Sequence, residues 1–257
     1  MELSLRSRSA MVMGSTSGLG LATARGLCEE GVSVVFCGRR ADQARAYASD
    51  YADALGLGVD LTDGDSVRGA VEAAIERYGS LDILVLNAGG PPPGTAADLA
   101  SEELSGTLQV LLQRQIDIVS QVLPAMRDAG WGRIVAIGSS GVQQPIPYLV
   151  QSNVVRAGLA GYLKTLAGEV AADGVTVNMV LPGRIDTDRV AELDRNKARQ
   201  TDEDPRAVRQ RSEASIPAGR YGTPEEFAAA VVFLCGASAS FINGVQLRVD
   251  GGMVSSF

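Results

Sequence analysis

The stretch that decides the fold is Met11–Gly20, which reads Met-Val-Met-Gly-Ser-Thr-Ser-Gly-Leu-Gly. An apolar run leads into three glycines, and an amphipathic pattern follows near residues 18–30. This order predicts a buried strand, a glycine loop and a helix. The glycines allow a tight turn and let a pyrophosphate approach the main chain, where N–H groups at the helix start face the phosphates. The stretch therefore predicts a dinucleotide site that includes Gly14, Ser15, Ser17, Gly18, Leu19 and Gly20.

The same alternation of strand and helix continues along the whole chain. Apolar, β-branched runs predict strands at Ala10–Met13, Val32–Cys37, Leu57–Val59, Ile83–Leu86, Ile134–Ile137, Val175–Val180 and Val245–Val249. Amphipathic stretches predict helices near 18–30, 41–55, 63–78, 101–129, 152–173 and 224–235. Strands that are apolar throughout are buried on both faces. We therefore predict an α/β fold of the doubly wound, Rossmann type, with about seven parallel strands between two helix layers, in one domain over 1–257.

The end of the second predicted strand indicates which dinucleotide is bound. It reads Phe36-Cys37-Gly38-Arg39-Arg40, with glycine where a carboxylate would bind the ribose diol of NAD(H). The guanidinium groups of Arg39 and Arg40 suit a phosphate, which they can bind with two hydrogen bonds each. The sequence thus favours NADP(H), with NAD(H) as the alternative, and a solvated loop is the plainer explanation of the two arginines.

Composition excludes several classes of function. The chain has no histidine, which rules out Ser-His-Asp hydrolysis and histidine-bound metals, and we expect no metal site. A net charge of −7 argues against nucleic acid or an anionic membrane as a partner. Three scattered cysteines indicate no disulfide framework, and Met1–Ser9 is polar and shows no leader. We therefore expect a cytoplasmic protein that acts on a small-molecule substrate.

Two segments depart from the alternation. Gly89–Gly94 reads Gly-Gly-Pro-Pro-Pro-Gly directly after a strand, and it forms either a rigid turn or a wall of the ligand cleft. The charged segment 186–219 is either a lid over the cleft or a solvated helical insertion.

Taken together, the motifs resemble those of the short-chain dehydrogenase/reductase family over nearly the full length, most closely its oxoacyl-thioester ketoreductase branch. The matching elements, in family order, are Gly14-x-x-x-Gly18-x-Gly20, Asp60, Asn87-Ala88-Gly89, Ser139, Pro182-Gly183-x-x-x-Thr187, Pro224-Glu225-Glu226 and Val249-Asp250-Gly251-Gly252.

The resemblance implies a role for each matching position. Asp60 and Leu61 would contact the adenine, and Asn87, Ala88 and Gly89 would line the cofactor cleft. The nicotinamide end would be held by Pro182, Gly183, Ile185 and Thr187. Family members are usually dimers or tetramers, which implies a homodimer or homotetramer with the helices at 101–129 and 152–173 in an interface.

The chain departs from the family in its catalytic residues. The family normally uses Asn, Ser, Tyr and Lys, and of these positions only Ser139 is retained. Counting along the chain places Ser152 at the tyrosine, Arg156 at the lysine and Leu111 at the asparagine. Ser152 and Arg156 are four residues apart, so they share one face of a helix. An aliphatic hydroxyl is a poor acid and arginine keeps its proton, so neither replaces the missing proton donor.

Two functions remain open at this point. The first is an NADP(H)-dependent oxidoreductase of a carbonyl or conjugated carbonyl substrate with an altered site. Ser139 would polarise the oxygen, Arg156 would stabilise negative charge, and Tyr148, in a proline-rich loop, would be a substitute acid or a packing residue. The second is a dinucleotide-binding protein without redox turnover, such as a sensor, a subunit or a non-redox catalyst.

Overall fold

The computed structural model describes residues 2–256 and contains a seven-stranded parallel sheet. The strands are β1 (Ser9–Val12), β2 (Ser33–Gly38), β3 (Leu55–Gly58), β4 (Ile83–Leu86), β5 (Gly132–Ile137), β6 (Val175–Pro182) and β7 (Gln246–Val249). Their order across the sheet is β3-β2-β1-β4-β5-β6-β7. The predicted doubly wound fold is confirmed. The strands β2 and β3 are added on one side of β1, and β4 and the later strands on the other side. The strand order therefore changes direction between β1 and β4, which is where α/β sheets of this kind bind ligands.

Helices cover both faces of the sheet. They are α1 (Gly18–Glu29), α2 (Ala41–Ala48), α3 (Gly64–Tyr78), α4 (Ser101–Leu108), α5 (Arg114–Asp128), α6 (Val150–Val170), α7 (Asp188–Thr201), α8 (Pro205–Ala214) and α9 (Pro224–Cys235). Alternate side chains of the strands point to opposite faces. One face packs against α3, α5 and α6, and the other packs against α1, α2 and α9.

Two helix predictions need correction. The helix predicted at 41–55 ends at Ala48, because the chain must turn to bring Leu55 beside Val35 in the parallel ladder. α2 packs so closely on β3 that a Cβ on Gly56 would lie 2.4 Å from the backbone of Arg45. The single helix predicted at 101–129 is divided into α4 and α5 by a π-helical turn, Gln109–Gln113. Such turns are frequent at functional sites.

The charged segment 186–219 folds into α7 and α8, which contact each other. Arg209 on α8 holds Asp186, at the foot of α7, through two hydrogen bonds of 3.0 and 2.8 Å. Those bonds lower the pKa of Asp186. The buried carboxylate of Asp194 accepts a hydrogen bond from the Tyr221 hydroxyl at 2.8 Å. The pair of helices is thus fixed at its base, and we refer to α7 and α8 as the lid after one of their two predicted roles, which stays a prediction.

Within residues 2–256, no helix is both long and apolar enough to cross a bilayer. The same part of the chain holds no group of three or more cysteine, aspartate or glutamate residues that could bind a metal ion. Met1, the first residue of the polar stretch in which no leader was expected, lies outside the described residues.

Candidate functional site

A cleft of about 1170 Å³ opens at the carboxyl ends of the strands. Segments far apart in sequence meet there because parallel strands end at the same edge of the sheet. The predicted residues that line it are Gly14, Ser17, Gly18, Leu19, Arg39, Arg40, Asp60, Leu61, Asn87, Ala88, Gly89, Ser139, Ser152, Arg156, Pro182, Gly183, Ile185 and Thr187. Ser15, Gly20 and Tyr148 do not line it.

The glycine loop between β1 and α1 has the geometry of a phosphate cradle. Gly14 and Gly18 have φ of +59° and +53°, a region in which side chains are strained. A Cβ on Gly20 would lie 2.3 Å from the Gly14 carbonyl oxygen, so only glycine lets α1 start against the loop. In the described structure, the Ser17 side chain caps none of the first N–H groups of α1. Those groups are therefore available to an anion.

Asn87 and Ser15 support this loop from behind. Asn87 follows β4, and its Nδ2 donates to the carbonyls of Met13 and Gly14, each at 3.2 Å. The buried Ser15 hydroxyl donates to Val12 O at 2.8 Å and accepts from the Cys37 N–H at 2.7 Å. Ser15 thus ties β1 to β2, and its side chain is placed to hold the loop rather than to touch a ligand.

The end of β2 presents two guanidinium groups and no carboxylate to the cleft. Gly38 approaches Thr16 so closely that a Cβ would lie 2.7 Å from Thr16 Oγ1. Arg40 Nη2 donates to Thr16 O at 2.9 Å, which fixes Arg40 beside the glycine loop, and Arg39 is exposed next to it. Asp60 across the cleft accepts hydrogen bonds from the Thr62 N–H and hydroxyl, which, with a smaller effect of Arg39, lower the pKa of Asp60. The guanidinium groups of Arg39 and Arg40 together form a donor set that fits a 2′-phosphate.

Ser139, Ser152 and Arg156 meet at the inner end of the cleft. The half-buried Ser139 hydroxyl accepts from the Gly141 N–H at 3.1 Å, so its own proton remains available to a ligand. Ser152 and Arg156 are buried on the same face of α6. Arg156 Nη1 donates to Ile137 O at 2.9 Å and Nη2 to Ala88 O at 3.5 Å. Among the described residues no carboxylate pairs with Arg156.

The Arg156 guanidinium is a permanent charge in this environment. Burial lowers the pKa of Arg156 to about 10, which still leaves it protonated at neutral pH. It can therefore donate hydrogen bonds and stabilise negative charge, but it cannot exchange a proton near neutral pH. An oxygen anion formed near Ser139 is the charge that this arrangement would favour.

Leu111 and Tyr148 stand outside the cleft. Leu111 is buried within the π-helical turn, and its neighbour Val110 lines the cleft instead. Gln115 Nε2 donates to Val110 O at 3.0 Å and so supports that turn. The Tyr148 side chain is 71% exposed, with φ of +61°, and its carbonyl accepts from the Gly94 N–H at 2.8 Å. That bond joins the Pro-rich loop to the loop before α6.

The loop after β6 forms the part of the cleft where the nicotinamide is predicted to bind. Thr187 caps α7, where its Oγ1 accepts from the Val190 N–H at 3.3 Å, and Ile185 is buried behind it. A Cβ on Gly183 would lie 2.6 Å from Asp250 Cα, so the C-terminal segment closes this loop from the outside. The tail motif around Asp250 therefore belongs to the same structural unit.

Sequence reasoning missed several residues of the cleft. Thr16 was overlooked although it lies within the glycine loop. On the lid side it also missed Arg184, Arg189, Lys197 and Arg211, which line the outer end. For Arg189, Lys197 and Arg211 the only signal was the high density of charge in segment 186–219, which does not tell which cations line the cleft, and Arg184 is an unassigned position of the motif Pro182-Gly183-x-x-x-Thr187.

Comparison with known proteins gives consistent matches over nearly the whole chain. Residues 14–254 match the family model described as Enoyl-(Acyl carrier protein) reductase. A protein of Streptomyces virginiae described as a ketoacyl reductase of the monensin polyketide synthase is 36% identical, with 96% of this chain and 97% of that protein covered.

Solved structures agree with these matches. L-sorbose reductase from Gluconobacter frateurii, in complex with NADPH and L-sorbose, is 31% identical with a TM-score of 0.93, and both chains are covered completely. A variant of actinorhodin polyketide ketoreductase with NADPH is 34% identical with a TM-score of 0.90, over 96% of this chain and 97% of that one.

Proposed function

The chain belongs to the short-chain dehydrogenase/reductase family, and we propose that it is an NADP(H)-dependent reductase of a carbonyl or conjugated carbonyl substrate. The observation that carries the proposal is the cleft itself. One end has the glycine cradle with Arg39 and Arg40, and the other end has Ser139 and Arg156 around a space open to substrate. A neutral donor and a fixed cation converge there.

The residues present fit NADP(H) along the whole cleft. The N–H groups at the start of α1 would hold the pyrophosphate, and Arg39 and Arg40 the 2′-phosphate. Asp60 and Leu61 would contact the adenine, and Ile185 and Thr187 the nicotinamide amide. Arg156 has N–H groups to spare for the nicotinamide ribose. When bound, the nicotinamide supplies the hydride, and the protein supplies binding and orientation.

We assign the polarisation of the substrate oxygen to Ser139 and Arg156. The Ser139 hydroxyl would donate to the oxygen, and the Arg156 charge would stabilise the negative charge that develops on it. Ser152 lies beside them and can position the oxygen or a water molecule. No tyrosine or lysine occupies the family's positions, so the proton would come from water or from the substrate itself. A missing general acid typically lowers the rate by roughly 10²–10⁴.

The test is NADPH oxidation, followed by absorbance, against a panel of ketones, aldehydes, enones and β-keto thioesters. Turnover of at least one class that falls in Ser139→Ala, with NADPH affinity unchanged, would support the assignment. Tyr148 stays a prediction as substitute acid, and Tyr148→Phe tests it in the same assay. A role for Tyr148 requires its exposed side chain to enter the cleft.

The alternative is a dinucleotide-binding protein without redox turnover. The observation in its favour is that Leu111 is buried, while Ser152 and Arg156 replace the usual acid and its partner. Tight NADPH binding by fluorescence, without oxidation by any member of the panel, would decide for this alternative. A cofactor-bound structure would then show which groups surround the nicotinamide.

We further propose a homo-oligomer built on α4, α5 and α6, with the lid formed by α7 and α8 opening for substrate. Val154 on α6 supports the first point, since 47% of this apolar side chain is exposed in the single chain. Light scattering tests the homo-oligomer, and a monomer at micromolar concentration would contradict it.

A further inference from the structure

The outer end of the cleft, beneath the lid, carries a group of cations that the proposed cofactor contacts do not use. Arg184 precedes α7, Arg189 and Lys197 lie on α7, and Arg211 lies on α8, and all four line the cleft. The hydroxyl-bearing Ser212 and Ser215 line it beside Arg211. We call these six residues the lid pocket.

We propose that the lid pocket binds an anionic oxyacid group, a carboxylate or a phosphate, that the substrate carries away from its reacting carbon. This inference rests on the proposed function and adds the substrate class to it. Guanidinium, ammonium and hydroxyl donors together form the set that recognises such groups. The substrate would then be an oxo acid or an oxo phosphate rather than a neutral ketone.

The carboxylates that hold these arginines lie behind them. Arg184 pairs with Asp194 at 3.6 Å, Arg189 with Glu192 at 3.4 Å, and Arg211 with Glu203 at 2.7 Å. Asp194, Glu192 and Glu203 are all absent from the lining of the cleft.

The three arginines therefore line the cleft while the carboxylates that pair with them do not. Such support fixes a binding group before the ligand arrives and lowers the entropy cost of binding. An ion-pair network that served the lid alone would not require the cations to face inward and the carboxylates outward.

Lys197 has no such support. Among residues 2–256 no carboxylate lies within ion-pair distance of Lys197, which is exposed, lines the cleft and makes only a small contribution to lowering the pKa of Glu203. Asp188 is the one carboxylate that the lid contributes to the lining. The lid pocket thus presents four cations to the cleft, and the lid adds one carboxylate to the lining, although the chain as a whole carries −7. Because the arginines already have partner carboxylates close by, the expected preference for an anion comes from direct contacts with these donors and not from a long-range field.

Arg189 also encloses the pocket. Its Nη2 donates to Pro91 O at 3.1 Å and so connects the lid to the proline-rich loop across the cleft mouth. This contact closes the pocket on one side, while the side chains of Arg189 and Arg211 stay 42% and 55% exposed, so the pocket is open to solvent elsewhere. Of the loop Gly89–Gly94, Gly89 and Gly90 line the cleft and the three prolines do not, so the prolines support this side of the cleft from outside.

The experiment compares linear methyl-ketone carboxylic acids of increasing chain length with their methyl esters. Binding to the protein loaded with NADP⁺ is measured by calorimetry, and inorganic phosphate is titrated as a separate probe. One charge-assisted contact favours the acid by roughly 10- to 100-fold over its ester. Displacement of a bound acid by phosphate would support a pocket that binds either a carboxylate or a phosphate. Equal binding of acids and esters, with no binding of phosphate, would overturn the proposal.

Single substitutions show which residues of the lid pocket cause the preference for the acid over its ester. Lys197→Ala should reduce the preference for the acid by about 10-fold, and Arg211→Gln should act in the same direction. The matched control is Arg195→Ala on the same helix, since Arg195 is exposed and does not line the cleft. A preference that survives both Lys197→Ala and Arg211→Gln unchanged would overturn the assignment.

The readout does not depend on turnover. Acids that bind with the expected preference but are never reduced would contradict the proposed function while supporting the lid pocket. Reduction of neutral ketones and their acids with equal kcat/KM would support the proposed function and refute the lid pocket.

Discussion

Replacing Arg39 and Arg40 together with alanine separates the two nicotinamide cofactors. In the structure both guanidinium groups line the cleft beyond the end of β2, where Gly38 leaves no carboxylate for a ribose diol. Only the phosphorylated cofactor brings a 2′-phosphate to this place. We therefore expect the double variant to lose affinity for NADPH and to keep its affinity for NADH.

The size of the loss follows from the contacts available. A hydrogen bond to a charged group contributes about 1.5–3 kcal/mol to binding, and exposure to water reduces it. Arg39 is free to turn toward the phosphate, while Arg40 already donates to Thr16 O. We count about 3 kcal/mol for the pair, which is roughly 100-fold in the Kd of NADPH. The Kd of NADH should change by less than about 3-fold.

Fluorescence titration of both reduced cofactors measures these constants. Arg45→Ala is the matched control, because Arg45 is an exposed arginine of α2 that pairs with Asp42 and does not line the cleft. Added salt should narrow the NADPH advantage of the wild type, since the contact is exposed and salt screens it. An equal loss for NADPH and NADH would refute the assignment of the 2′-phosphate to these arginines.

Three further predictions test other parts of the molecule. Gly20→Ala should abolish binding of either cofactor and lower the free energy of unfolding by about 2 kcal/mol, because its Cβ would meet the Gly14 carbonyl at 2.3 Å. Gly69→Ala, whose Cβ would meet no atom within 4 Å on α3, should instead be neutral or stabilise by up to about 1 kcal/mol in urea unfolding. Ser139→Ala should lower kcat by about 10²–10³ in the NADPH assay without weakening NADPH binding, and an unchanged kcat would remove Ser139 from the mechanism. Hydrogen bonds from Arg220 and the Thr223 N–H lower the pKa of Glu226 to about 2, so wild type should exceed Glu226→Gln in stability above about pH 4.3 and lose that advantage as the pH falls toward 2. Urea unfolding at several pH values would show this convergence, and a gap independent of pH would exclude the ion pair as its source.

The sheet was predictable because its signal is local. Each strand is a short apolar run. The glycines at 14, 18 and 20 have a spacing that is specific for the tight loop between the first strand and the first helix. The predicted strands match the observed ones to within two residues at their ends, and the order of β1 and β4 follows from the family fold. The same local signals brought most of the predicted cofactor residues into one cleft.

Tertiary contacts decided what the sequence could not indicate. The π-helical turn at Gln109–Gln113 contains no glycine or proline, and the Gln115 side chain holds its Val110 carbonyl. Tyr148 is exposed, and its carbonyl accepts a hydrogen bond from the N–H of Gly94, more than fifty residues earlier in the chain. The arginines of the lid pocket pair with carboxylates that the fold brings beside them, which spacing alone does not reveal.

Ser152 and Arg156 are buried on α6 and line the cleft. On the alignment predicted from the sequence they stand at the positions of the family's tyrosine and lysine, and the proposed site then holds an aliphatic hydroxyl and a fixed charge where the family has a proton donor and its partner. A fixed charge assists most where the negative charge of the transition state is spread over a conjugated system. Such a delocalised anion is stable enough to be protonated by water after the hydride transfer. A simple ketone forms a localised alkoxide and needs the proton early. We therefore expect conjugated carbonyl compounds to be reduced faster than saturated ketones of the same size, and the reverse order would show that another group donates the proton.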